Sequence, residues 1–231
     1  MTTATPRRDS IKHVFLWPAF LVVLVVSLFP LIYALSVSFQ TMRLVPPSPP
    51  RFVGLDNYAA VLASGRFWGS IWTTAVIVFV SVALQYVIGL VLALALHHNV
   101  KGASLYRVTF LLPMFLAPVC VALIARMIFH PVLGPLNDGL TLLGAANIPF
   151  LTSPGLAVGV LISVEVWQWT PFLFIIFVAG LQGQDKEVEE AARLDGASWW
   201  STFFNVSLPM MRPIIAVALI LRGIDILNMF T

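Results

Sequence analysis

The chain has 231 residues, 59% of them hydrophobic and only 10% charged, whereas a soluble domain is about half apolar and about a quarter charged. A mean hydropathy of +0.95 calls for a second solvent, and lipid supplies it. Disorder, a nucleic-acid-binding domain and a disulfide scaffold are excluded; the net charge of +3 is better read by position than by sum.

A helix crossing a hydrocarbon core of ~30 Å needs about 20 apolar residues. Residues 14–39, 71–96, 108–129 and 156–181 satisfy this almost without charge, and 214–230 form a fifth, shorter segment that carries Arg222 and Asp225. With its approach from Val206, this fifth element occupies 206–230. Arg7, Arg8 and Lys12 precede the first segment, as they would precede a secretory signal. The apolar run is longer than the roughly 7–15 residues of a signal core, so an uncleaved anchor behind a cytoplasmic tail, residues 1–13, is expected. Cys120 lies in the third run and reads as a small buried hydrophobe.

Basic residues orient the spans. With the N-terminus in the cytosol, the inner segments hold Arg7, Arg8, Lys12, Lys101, Arg107, Lys186, Arg193 and Arg212, and the outer loops hold Arg43, Arg51 and Arg66. That asymmetry follows the positive-inside rule. Arg126 near the outer end of its span can snorkel, and His97 and His98 close the second span on the inside. The outer loop 42–68 carries Pro46, Pro47, Pro49 and Pro50 and is expected to be an extended, non-helical connector. The second outer loop, 131–154, reads as a turn-rich cap. Trp17, Trp68, Trp72, Trp167 and Trp169 fall at or towards span ends, where tryptophan anchors at the interface.

The least membrane-like stretch, 182–205, concentrates Asp185, Lys186, Glu187, Glu189, Glu190, Arg193 and Asp195. Its spacing predicts a short helix over 187–195, acidic in its first turn and stopped by Gly196 in the left-handed conformation. Small residues such as Ala191 and Ala192 let a partner come close; a solvated linker helix remains the alternative. The run Glu190-Ala191-Ala192-Arg193-Leu194-Asp195-Gly196, nine residues, then Val206-Ser207-Leu208-Pro209, resembles the EAA motif of importer-type ABC transporter permeases, with Val206 where isoleucine is usual. Phe52-Val53-Gly54-Leu55-Asp56-Asn57-Tyr58 and Ala179-Gly180-Leu181-Gln182 look like the carbohydrate-uptake branch of that family.

The resemblance implies an all-α fold, a polytopic transmembrane helix bundle with five spans visible of a six-span core. It implies a multi-pass subunit of the bacterial cytoplasmic membrane, without catalytic residues, cofactor or metal. Its implied partners are a second permease, cytoplasmic ATP-binding subunits that grip the loop helix 187–196, and an extracytoplasmic solute-binding protein that delivers a sugar or polyol. Glu190, Ala191, Ala192, Gly196, Leu208 and Pro209 would couple the spans to the ATPase. Members of this branch have a sixth span beyond the segment that ends at Thr231, so a truncated product, or a last helix supplied elsewhere, is implied. Leu208-Pro209 and Arg212-Pro213 would re-launch the chain into the fifth span.

Ionisable groups at bilayer depth cost about 2.5–3.5 kcal/mol each on insertion scales. Glu165, Gln168, Trp169 and Phe172 share one helix face and offer a carboxylate, an amide and two rings, a set suited to a polyhydroxylated solute in a pathway. Alternatively Glu165 pairs with a basic group on a neighbouring span and Trp169 only packs. Pro171 is expected to break the helix and free backbone carbonyls. Arg222 and Asp225, three apart, read as an intramembrane ion pair. An ion-coupled secondary transporter using Glu165 and Asp225, or an inert scaffold, are the competing functions; the absence of internal repeats argues against the first.

Overall fold

The computed structural model describes residues 7–42, 49–96 and 103–229. Arg43, Pro46, Pro47, His97, His98, Lys101, Phe230 and Thr231, which figure in the expectations above, lie outside the described residues. By its contacts the chain divides into two compact units, Met1–Ser70 and Ile71–Thr231.

In the first unit, α1 (Arg7–Ser38) starts ahead of the apolar run and continues through Pro18 and Pro30. A two-residue ladder follows, β1 (Gln40–Thr41) antiparallel to β2 (Arg51–Phe52), with Gln40 opposite Phe52. Then comes α2 (Asp56–Leu62). The loop expected to be non-helical therefore contains a helix. Asn57 explains why: its Nδ2 donates to Ser38 O at 2.8 Å and to Gln40 O at 3.0 Å, caring for the carbonyls where α1 ends. Tyr58 Oη lies 2.6 Å from Ser38 Oγ, and its ring sits 5.6 Å from that of Phe39. The Phe52–Tyr58 run is thus a knot tied onto the end of α1.

The second unit is built on α3 (Gly65–Ala95) from Ile71 onward, α7 (Pro154–Gln182) and α10 (Leu208–Asn228). Ala93, Leu173, Phe174, Phe177, Met211 and Ala218 from these three helices form its core. α3 buries Ile77, Ser81, Gln85, Gly89 and Ala93, a stripe at every fourth residue. Small residues in that stripe let backbones approach: a β-carbon on Gly89 would lie 3.2 Å from Phe174 N and 3.3 Å from Leu173 Cβ.

The third expected span is not one helix. α4 (Ala103–Leu111) passes through a 3-10 turn, Leu112–Phe115, and α5 (Pro118–Ile128) leaves at 93° to it. Pro113 and Pro118 lack the N–H groups that a continuous helix needs there, and Ala117, directly before Pro118, is extended, as a residue preceding proline prefers. Among the described residues, four helices are long and apolar enough to cross a membrane, five if the bent pair is one span. Cys120 on α5 is exposed, contrary to the sequence reading. In a membrane protein an apolar run can present its side chains to lipid, so apolarity alone does not place a residue inside its own chain. The segment 131–154 holds α6 (Pro135–Leu142), pinned by Asn137, whose amide donates to Ile148 O at 3.0 Å and accepts from Ile148 N at 3.0 Å. α7 runs unbroken through Pro171, correcting the expected break. Thr170 Oγ1 bonds Val166 O at 2.6 Å in the turn before the proline, while the carbonyl that Pro171 leaves without its helical amide is that of Trp167.

Gly89→Ala should lower the stability of the purified, detergent-solubilised protein by about 1–3 kcal/mol, because backbone cannot yield to the added carbon. Gly159→Ala, where a β-carbon meets nothing within 4 Å, should leave stability unchanged or raise it by about 0.4–1 kcal/mol. Denaturation midpoints of the two variants check the contrast.

Candidate functional site

Two places in the second unit gather chemically capable groups. The first is a buried polar cluster between α3, α7 and α10. Arg222 of α10 is 1% exposed. Its Nε donates to Gln85 Oε1 at 2.9 Å, its Nη1 to Asp225 Oδ2 and its Nη2 to Glu165 Oε1. The guanidinium also lies over the Trp169 ring, 4.7 Å from its centroid, a cation–π contact. Gln85 Nε2 donates onward to the backbone carbonyl of Glu165 at 3.0 Å. One arginine therefore binds two carboxylates, an amide and a ring from three helices. The sequence offered Arg222–Asp225 and Glu165–base pairing separately; the structure brings both onto one guanidinium. Gln85 was missed. Its signal was an amide at a fourth-residue position among Ser81, Gly89 and Ala93.

Gln168 lies nearby, and its Nε2 donates to Leu116 O at 3.2 Å. Leu116 sits at the break between α4 and α5, so this amide tends a carbonyl that the lost helix leaves open. Glu165, Gln168, Trp169, Arg222 and Asp225 line a cleft of about 530 Å³ walled by α5, α7 and α10. Phe172 does not line it. Further along α7 the helices close on the apolar core, and Phe172 packs there.

The second place is α8 (Lys186–Leu194), between α7 and α10. Asp185 caps its start, with Oδ1 accepting from Glu187 N at 3.1 Å, and Glu187 and Glu189 occupy the first turn, where the helix dipole favours anions. Glu189 pairs with Arg193 at 2.7 Å, an exposed pair that stabilises the helix only slightly. The end is a Schellman turn: Gly196 N donates to Arg193 O and Ala197 N to Ala192 O, both at 3.0 Å, with Gly196 at φ +82°. Glu190 and Ala191 are exposed and Ala192 is half-buried. Leu194 is 89% exposed, a large apolar side chain left bare at the helix end.

The return to α10 starts earlier than Leu208-Pro209. α9 (Trp199–Thr202) is capped by Ser198 Oγ and runs through a π turn, Phe203–Ser207, directly into α10. Leu208 and Pro209 are therefore the first residues of α10 proper, placed just after the widened turn. The missing N–H of Pro209 accounts for widening at that point, since the carbonyl it would have bonded has no amide to hold it. Gln184 Nε2, at the end of the loop beyond α7, donates to Ser207 O at 2.7 Å and ties that turn to the base of α8. Trp199 stacks on Phe203 and Trp200 on Phe204, each pair with centroids 5.8 Å apart.

Residues 85–231 match the family described as binding-protein-dependent transport system inner membrane component. The chain is 34% identical over 225 residues to the trehalose/maltose transport system permease protein MalF of Thermococcus litoralis, covering 97% of this chain and 76% of that protein. It is 34% identical over 213 residues to the trehalose transport system permease protein SugA of Mycobacterium tuberculosis, covering 92% and 68%. To the sulfoquinovosyl glycerol transport system permease protein SmoG of Agrobacterium fabrum it is 32% identical, covering 92% and 69%. Among solved structures, a chain of the bacterial alginate ABC transporter in complex with alginate pentasaccharide-bound periplasmic protein is similar at a TM-score of 0.79 and 25% identity, covering 94% of this chain and 72% of that one.

Removing Arg222 strands the Glu165 carboxylate and the Gln85 amide in a low-dielectric interior, so Arg222→Gln should cost about 3–5 kcal/mol of stability. In a double-mutant cycle with Gln85→Leu, the denaturation free energies should be non-additive by about 0.5–3 kcal/mol. Additive losses would mean that the two side chains act independently.

Proposed function

Because this chain belongs to the inner-membrane components of binding-protein-dependent transport systems, we propose that it is the permease subunit of an ATP-driven importer of a sugar or polyol. It works beside a second permease, takes its solute from an extracytoplasmic binding protein and contains no ATPase of its own. The observation that carries this reading is α8: a helix capped at both ends, bearing Glu190 and Ala191 outward, Ala192 half-buried and Leu194 bare, set between two apolar helices. Those residues fit a groove on a cytoplasmic ATP-binding subunit. Glu190 supplies a charge for a basic partner, the alanines allow close approach and Gly196 turns the chain back without strain.

The bent pair α4–α5 bears on the orientation. With a cytosolic N-terminus, α1 leads out and α3 leads back in. α8 then lies in the cytosol if α4 and α5 together cross the membrane. The basic residues Arg107, Arg193 and Arg212 fit that arrangement. Displacement of α8 is passed on through Gln184 and the π turn to α10 and through α7, two of the three helices that line the cleft. The sugar relatives, and the carboxylates, amides and ring gathered at the cleft, support a polyhydroxy solute. An ion-coupled mechanism is less favoured, since Glu165 and Asp225 both accept from Arg222.

Glu190→Lys should leave the subunit in the membrane and abolish ATP-driven uptake into vesicles that hold the whole transporter and its binding protein. Gly196→Val, which forces a β-branched residue to φ +82° at roughly 1–2 kcal/mol, should do the same. Gly196→Asn should retain most uptake. Undiminished uptake by Glu190→Lys would contradict the coupling role, and uptake abolished by a protonophore while ATP is maintained would favour the ion-coupled reading.

A further inference from the structure

The cleft between α5, α7 and α10 has, among the described residues, three charged side chains in its wall: Glu165, Arg222 and Asp225. Gln168, Trp169 and Asn228 add polar atoms, and the rest of the wall is apolar. Arg222 would draw an anion towards the cleft if its guanidinium were free, but each of its three nitrogens already donates to a protein oxygen and its face lies on Trp169. Its side chain is 1% exposed. Glu165 is nearly as hidden at 7%, whereas the Asp225 side chain is 55% exposed beside its bond to Arg222. One cation against two anions leaves the cluster a unit negative, and the charge it shows to a solute is the Asp225 carboxylate.

Resting on the carbohydrate reading above, we propose that Asp225 is a specificity-determining residue that makes the cleft reject anionic carbohydrates, such as sugar phosphates, sulfonates and uronates, in favour of neutral polyhydroxy solutes. The carboxylate is acceptor-only. It takes hydrogen bonds from the hydroxyls of a neutral sugar, but meets an acidic group with a like charge and no proton to share. Apolar walls keep the local dielectric low and lengthen the reach of that repulsion. Specificity here comes from the repulsive element as much as from attraction.

The sign of the field can be read without knowing the natural solute. Ala157 lines the same cleft. In the complete transporter, with Cys120→Ser as background, Ala157→Cys is reacted with a cationic trimethylammonium and an anionic sulfonate methanethiosulfonate. Each rate is normalised to the same reagent's rate with a free thiol. The cationic reagent should be favoured by roughly tenfold or more, because a net negative charge lowers the barrier for one reagent and raises it for the other. Asp225→Asn should collapse most of that ratio and Asp225→Glu should keep it; should Asp225→Asn fail to assemble, Asp225→Ser gives the same reading. A normalised ratio near one, or a ratio untouched by neutralising Asp225, overturns the proposal. So does a cysteine that neither reagent reaches from either side of the membrane, since the cleft would then not admit solutes. Failure of the carbohydrate reading is separate: it would show as no ATP-dependent uptake of any polyhydroxy solute, whatever the reagent ratio.

Discussion

A guanidinium held away from water between three apolar helices is the feature on which the second unit depends. Alone at bilayer depth, Arg222 would cost about 2.5–3.5 kcal/mol on insertion scales. The cost is tolerable because Gln85, Glu165, Asp225 and Trp169 take up its nitrogens and its face. Each of those groups is in turn satisfied by Arg222. A polar network of this kind is strong when complete and a liability when any member is lost. It therefore fixes the mutual register of α3, α7 and α10 more sharply than the apolar core can, because side chains such as Phe177 and Met211 would tolerate small slides that one guanidinium bonded to side chains of all three helices would not.

That fixed register gives the cleft a meaning beyond its volume. Its wall is made by α7 and α10, two of the three helices that Arg222 joins, together with α5, which is held at its bent start by Gln168. At the other end of the same helices, Gln184 and the π turn at Phe203–Ser207 join the base of α8 to α10. A push on α8 is then delivered to a body whose parts cannot easily slip past one another. Widened turns and freed carbonyls sit where such a push would enter. The energy of ATP hydrolysis needs a stiff path of this sort if it is to open a solute site at a distance.

Much of this architecture was legible in the sequence, and the rest was hidden for definable reasons. The long apolar runs, the acidic start of α8 and the left-handed Gly196 follow from local chemistry, and local chemistry decided them. The bend between α4 and α5 was written in Pro113 and Pro118, but apolar composition drowned the signal: hydropathy averages over a window and does not notice missing N–H groups. Pro171 shows the opposite error. A proline that would end a helix in water is carried through in α7. The helix α2 was hidden behind the prolines of its loop, although Asn57 and Tyr58 were in view. The polar cluster was half visible. Periodicity paired Arg222 with Asp225 and put Glu165 beside Trp169, but the partnership across helices, and the part of Gln85, depend on tertiary packing that spacing along one helix cannot convey.

The account stands or falls on the side of the membrane that α8 faces. Leu194 offers the handle, being 89% exposed and in the last turn of that helix. With Cys120 replaced by serine, Leu194→Cys should react with a membrane-impermeant maleimide in inside-out vesicles and stay unmodified in intact cells. In the same vesicles, added ATP-binding subunits should protect it. Modification from the outside of intact cells would place α8 opposite any cytoplasmic ATPase and contradict the account.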